Sequence, residues 1–439
     1  SMCRGTRKIC EDIIRFHERN WAWNLEEIAY KSMINKKNLP IKIIVLTVIL
    51  DSVGIGIMIP VLPSLMTDVL PGKTVAEAAV WGGILASIFA VMQFIFGPIL
   101  GSLSDTFGRR PVILISLIFM ALDYIIMGLA TSIWLLLLGR ILGGITASTH
   151  ATAAAYVADI STSEQKAARF GYIGAGFGIG FVLGPIIGGL LGEIGPRIPF
   201  FAAAVVSALN AIACYFFLQE SLNNKVQKRF SLTNINPFRT FGAIAKFDGL
   251  KVFLMVFLLY SISTAVYAAI WPYFTAERFS WSPGMIGLSL TVYGICFAFI
   301  QGVLVQPTIN LIGRYNTVLF GFGVEIVAMI LIAIITNGWF LIALTPLASL
   351  GVIGQPALTA LMSDQVDESN QGSLQGVIAS LTAVSMIITP LSMTWILSQF
   401  SNQKSEIYFP GAPFIASAVM LTISVCIFLF WAPKKFINR

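Results

Sequence analysis

The chain has 439 residues, of which 56% are hydrophobic and only 11% charged, and its mean hydropathy is +0.83. Soluble domains interrupt their apolar stretches every few residues, so this composition excludes them. The net charge of +7 comes without a folded basic domain able to hold a nucleic acid, and it suits anchoring at an anionic lipid surface.

Residues 1–40 open the chain as a polar N-terminal segment without the apolar stretch of a signal peptide. Asn24 and Glu27 have the spacing of a helix cap, and Trp21 and Trp23 suit a membrane interface. A short surface helix and a poorly ordered tail are equal readings here, and Met33 is an alternative start. Twelve apolar stretches follow, each of about the 18–25 residues that cross a bilayer as a helix. They cover 41–66, 78–100, 111–131, 133–155, 168–192, 198–218, 250–274, 284–306, 316–336, 338–361, 373–397 and 411–432. Gly and Pro recur inside them, as expected of helices that pack closely and break. The fold class is therefore all-α integral membrane.

Charge sets the expected orientation. With the N-terminus cytoplasmic, alternate loops and both tails hold 23 of the 28 Lys and Arg. The other side holds Lys73, Arg197, Arg278 and Lys404, while Arg140 lies inside a helix. Both termini are thus expected in the cytoplasm. Residues 219–249, with Lys225, Lys228, Arg229, Arg239 and Lys246, read as a cytoplasmic linker between two six-helix bundles, 41–218 and 250–432, with 433–439 as the tail. An offset of 205 residues aligns Gly82 with Gly287, Gly97 with Gly302, Gly108-Arg109 with Gly313-Arg314, Asp159 with Asp364, Gly171 with Gly376 and Pro185 with Pro390. Six matches at one offset argue for two pseudo-symmetric halves, an architecture that places a transport site between them.

The charged knot "GSLSDTFGRRP" (101–111) falls between the second and third helices. Its glycines permit a tight turn and its arginines suit the cytoplasmic face. Asp105 needs a partner there: Arg109, Arg110 or the N-terminus of another helix. The five cysteines, Cys3, Cys10, Cys214, Cys296 and Cys426, are scattered and odd in number, without CxxC spacing.

Gly101, Leu103, Asp105, Gly108, Arg109 and Arg110 match the G-x-L-x-D-x-x-G-R-R signature, and here the chain resembles the major facilitator superfamily. The resemblance implies that Asp105 latches the two halves in the outward-facing state, near the start of helix eleven at Gln371 to Gln375. In the second copy Asn310 replaces the acid, so the latch is one-sided. "LGRILGG", with Arg140, resembles the family's helix-four motif. "GIGFVLGPIIGG", with Gly180, Gly184, Pro185, Gly188 and Gly189, resembles the helix-five motif of its antiporters. Small residues there allow close helix contact and Pro185 bends the helix. The stretches "LDSVGIGIMIPVLPSLM", "LDYIIMGLA", "FTAERFSW" and "QGSLQGVIASLT" are similar to the bacterial tetracycline/proton antiporters of the drug/proton branch.

Three acids fall near helix centres: Asp51, Asp123 and Glu325. A charge there costs about 2.5–3.5 kcal/mol on insertion scales, so such groups face a cavity and serve a function. Asp51 or Asp123 has a permanent pairing with Arg140 as its alternative reading; Glu325 is alone in its half. The tetracycline antiporters resemble this chain at all three positions, with aspartate at the third. His150 is either a core histidine or a proton or substrate contact. Gln93 and Gln301 either orient a polar polycyclic ligand or hold helices together. The aromatic residues, 32 Phe among them, read as mostly lipid-facing or core, with no stripe assigned to a drug.

These features lead to the expectation of a proton-coupled efflux antiporter for a small amphipathic, tetracycline-like compound in a bacterial inner membrane. Export of another metabolite, such as a siderophore or sugar, is the alternative. A membrane enzyme is disfavoured, since only two histidines exist and His17 lies in the N-terminal segment. The expected partners are the small-molecule substrate, protons and lipid, with no nucleic acid, and the expected state is a monomer. No cofactor or metal site is expected: the proton gradient supplies the energy, and a divalent metal enters only within the substrate complex.

Overall fold

A computed structural model describes residues 39–222, 248–367, 370–401 and 407–431. The readings of Trp21, Trp23, Asn24, Glu27 and Met33, and most of the linker and C-terminal tail, lie outside them.

The first half contains α1 (Leu39–Val69), α2 (Val75–Phe107), α3 (Arg109–Leu129), α4 (Ile133–Ile160), α5 (Ser163–Ile194) and α6 (Ile198–Phe217). The second begins with α7 (Lys251–Phe279) and a continuous apolar span from Pro283 to Ile334, 52 residues long. As one rod this span would reach ~78 Å, more than twice the ~30 Å hydrocarbon thickness. It breaks at Gly313, whose φ of 77° lies outside the helical region, giving α8 (283–312) and α9 (314–334). Then follow α10 (Gly338–Ser363), α11 (Gln371–Phe400) and α12 (Ala412–Trp431). The described residues thus form twelve membrane helices.

The charged knot is less of a loop than its composition predicts. Residues 101–107 complete α2, Gly101 stays helical, and Gly108 alone turns the chain, at φ 106°. A side chain at that φ is strained, which is why glycine is needed. The Glu220 carboxylate accepts the backbone N–H groups of Arg109 (2.9 Å) and Arg110 (3.1 Å), capping the start of α3. Arg109 reaches Asp159 at the end of α4, 3.0 Å away. The second half repeats this clasp at the same offset: Gly313 has positive φ and Arg314 pairs with Asp364. Two of the sequence matches therefore correspond to one structural device, made twice.

The core shows how the halves meet. On the face opposite the Gly108 break, one apolar cluster draws Leu65, Leu136 and Phe200 from the first half and Ile270, Phe274 and Phe414 from the second. On the Gly108 side, here termed the basic face, each half keeps its own core: Ile44, Ile113 and Tyr156 in one, and Phe253, Val318 and Phe428 in the other. The halves are joined at one face and parted at the other.

The facing helices give the same result. Near the closed face a Cβ on Gly189 would lie 2.7 Å from the Pro283 carbonyl oxygen, and one on Gly83 would lie 2.6 Å from that of Pro390. The Ser87 hydroxyl donates to the Ile387 carbonyl (2.7 Å), and the Gly284 N–H donates to Glu193 across the halves (2.8 Å). Toward the basic face, a Cβ on Gly97, Gly174, Gly302 or Gly372 would meet nothing within 4 Å. The molecule is open at the basic face.

Candidate functional site

The helix-five motif builds the closed side. Gly180, Gly184 and Gly188 recur every four residues and so share one helix face. That face lies on α1: a Cβ on Gly180 would sit 2.7 Å from the Ile49 carbonyl oxygen, and one on Gly184 would sit 2.8 Å from that of Val53. Gly188 lies directly against the Ile57 carbonyl. Gly189 and the Pro185 carbonyl meet α8 at Gly284 and Gly287. The motif clamps α5 between its own half and the other one.

The buried charges form two centres of different construction. In the first half, Asp123 on α3 is fully buried and forms an ion pair with Arg140 on α4. The helix-four glycines make this geometry possible. A Cβ on Gly139 would lie 2.8 Å from Asp123 Oδ1, and one on Gly143 would lie 2.6 Å from Oδ2. The guanidinium of Arg140 also stands 5.3 Å above the Phe89 ring of α2 and 3.7 Å from the Met58 sulfur. Asp51, on α1 of the same half, is buried without a hydrogen-bond partner for Oδ1. In this state Arg140 pairs with Asp123 and not with Asp51.

In the second half Glu325 on α9 is buried, with the side chain of Tyr267 of α7 as a neighbour of its carboxyl group. A short 3-10 stretch of α10, Ser349–Ile353, approaches closely. Its Gly351 leaves room for the acid, since a Cβ there would fall 2.9 Å from Glu325 Cβ and 3.0 Å from Cδ. No Lys, Arg or His appears among the residues that surround it in the cavity wall.

That wall belongs to a cavity of about 390 Å³ between the halves. Phe177 and Phe181 of α5 face Tyr260, Tyr267 and Trp271 of α7, with Tyr293 of α8, Gln355 of α10 and Ser385 of α11 completing the ring. This volume is within the ~300–1,000 Å³ range of small-molecule sites, and apolar walls with a few placed polar groups are typical of them. Most aromatics are expected at lipid or core contacts, with no stripe assigned to a ligand, and one stripe does line this cavity. A signal was present in the sequence: Tyr260, Thr264, Tyr267 and Trp271 follow the i, i+4, i+7, i+11 spacing of one helix face, and all four line the cavity.

The remaining sequence-selected residues stand apart from the cavity wall. The Gln93 amide donates to the carbonyl of Ala147 (3.3 Å), where α4 breaks, and Gln93 is outside the lining of this cavity. Gln301 sits in a π-helical turn, Ile300–Leu304, outside the cavity lining. His150 packs edge-on against the cavity residue Phe177, with centroids 5.1 Å apart, and thus stands one layer behind. Asp105 forms an ion pair with Arg109 at 2.5 Å and does not reach α11 in this state. Arg110 donates to the Tyr215 carbonyl at 2.5 Å.

Twelve helices in two halves, joined at one face around a central cavity, define a membrane carrier of the alternating-access kind. The chain belongs to the major facilitator superfamily, whose family model matches residues 44–262 and 252–438. It is therefore a multi-pass membrane transporter and not an enzyme. Within the superfamily it is 41% identical to the class C tetracycline resistance protein of Escherichia coli, over 82% of this chain and 90% of that protein. The class G tetracycline resistance protein of Vibrio anguillarum is 37% identical, with 81% and 90% covered. Among solved structures, the nucleoside transporter NupG has the same fold, with a TM-score of 0.71 at 15% identity and coverages of 90% and 100%.

Proposed function

We propose that the protein is a proton-coupled exporter of tetracycline-like compounds in a bacterial cytoplasmic membrane. The observation that carries this reading is Glu325, a buried carboxyl without a cationic neighbour in the wall of an aromatic cavity. Its relatives at 37–41% identity are named for tetracycline resistance. Ring-stacking walls with few polar groups suit a polycyclic amphipathic ligand better than a sugar, whose hydroxyls each need a partner.

The basic face is the cytoplasmic one, with both termini there, and the open state is the one that loads drug. Proton uptake at Glu325 from the outside and release to the cytoplasm reset the carrier. In the opposite state Asp105 leaves Arg109 and latches onto the start of α11 near Gln371. The bundles 41–218 and 250–432 move as the two rocking bodies, and one chain suffices as the working unit. A divalent metal travels, if at all, within the drug complex.

Expression in a drug-sensitive bacterial host tests the reading. Tetracyclines should be tolerated at raised concentration while sugars and siderophores accumulate normally. A protein abundant in the membrane that protects against none of a tetracycline panel would overturn it.

A further inference from the structure

The first half holds an unexplained group beside its ion pair. Tyr124 of α3 is 1% exposed, and its hydroxyl has no hydrogen-bond partner among the described residues. A buried hydroxyl left unpaired forfeits its hydrogen bonds to water without replacement, so its retention calls for a reason. Its location supplies one. A Cβ on Gly54 of α1 would lie 3.3 Å from the Tyr124 oxygen, and Gly54 is three residues from Asp51, on the same helix face. Tyr124 follows Asp123 directly in the chain, and the charges of Asp51, Asp123 and Arg140 all act on it. Each acid also keeps one oxygen free, Asp51 Oδ1 and Asp123 Oδ1, both buried and unbonded. Cys214 of α6 also feels the charge of Asp51, and its sulfur is engaged by the Thr47 hydroxyl at 3.0 Å.

We infer that the Tyr124 hydroxyl is a proton relay between Asp51 and the Asp123–Arg140 pair. This rests on the proton-coupled reading above and adds a route through the first half. Asp51 in its acid form donates its proton to the Tyr124 oxygen while Tyr124 donates its own hydrogen to Asp123 Oδ1. Asp51 becomes the carboxylate, Asp123 the neutral acid, and the phenol stays neutral throughout. The hydrogen bonds for this step form during the transport cycle. Neutralising Asp123 frees Arg140, which lies over Phe89. Phe89 is two residues from Ser87, whose hydroxyl ties α2 to the other half. The relay thus ends at a helix that takes part in closing the cavity.

Tyr124→Phe deletes the hydroxyl and keeps the ring. In everted vesicles, drug accumulation driven by an imposed pH gradient is compared with drug counterflow at equal pH, which needs no net proton passage and reports on folding and cycling. The ratio of driven uptake to counterflow should fall by about a hundredfold or more, in the range of a lost proton-transfer group. Tyr156→Phe, which removes another buried first-half hydroxyl bonded to the Gln219 carbonyl, should keep the parent ratio. A parent ratio in Tyr124→Phe, or an equal fall in both variants, would overturn the relay. Failure of the parent itself to accumulate drug on a pH gradient would instead sink the proton-coupled reading.

Discussion

The two halves carry the same fold and opposite solutions to a buried acid. In the first, Asp123 is neutralised by Arg140 and packed against a helix whose glycines admit it. In the second, Glu325 has tyrosines for neighbours and the cavity for an outlet. The repeat is kept where it is mechanical, in the Gly–Arg–Asp clasps at Gly108 and Gly313. It is abandoned where it is chemical. Duplicated halves thus share a hinge device while dividing the charge work between them.

The comparison predicts that acids in the two halves fail differently when altered. Asp123→Ala leaves the Arg140 guanidinium buried and unpaired, which should cost about 3–5 kcal/mol and lower the thermal stability of detergent-purified protein. Glu325→Gln replaces a carboxyl that pairs with no cation among the described residues and should leave that melting temperature within a degree or two of the parent's. Equal losses in both variants would erase the distinction.

A smaller effect is expected at Gly351. Gly351→Ala forces a methyl group into the space beside Glu325, an overpacking of about 1–3 kcal/mol. Drug affinity should weaken, and shortening the acid in Gly351→Ala/Glu325→Asp should restore part of it. A double variant no better than the single one would show that the clash lies elsewhere.

Asp105→Asn should slow counterflow while changing stability by about 1 kcal/mol or less, as expected for a pair at the exposed face. Unchanged rates would remove Asp105 from the latch. The least effect is expected from deleting residues 2–32, because every motif lies beyond them. Transport per molecule in the membrane should match the parent, and a loss would assign the segment a role.

The sequence made the helices legible because apolar length alone sets a membrane span. It also marked Gly108-Arg109 with Gly313-Arg314, and Asp159 with Asp364, through the 205-residue offset, but the pairing of each arginine with its aspartate is visible only in three dimensions. Gln93 and the aromatic cavity were not legible in the same way. A glutamine within an apolar helix looks alike whatever it faces, and the hydrogen bond of Gln93 to the Ala147 carbonyl depends on a break in α4 that the apolar run does not announce. The stripe from Tyr260 to Trp271 has helical spacing, but spacing alone does not say whether the face meets lipid, core or cavity. That depends on how the halves lean together.

The central claim is that Glu325 couples proton movement to drug movement. It is tested most directly in everted vesicles with an imposed pH gradient, by recording drug uptake and drug-induced proton release together. The parent should show both, and Glu325→Gln should exchange drug at equal pH yet neither concentrate it on the gradient nor release protons. Glu325→Asp should retain both. If Glu325→Gln concentrates drug and releases protons like the parent, Glu325 is not the coupling group and the account is contradicted.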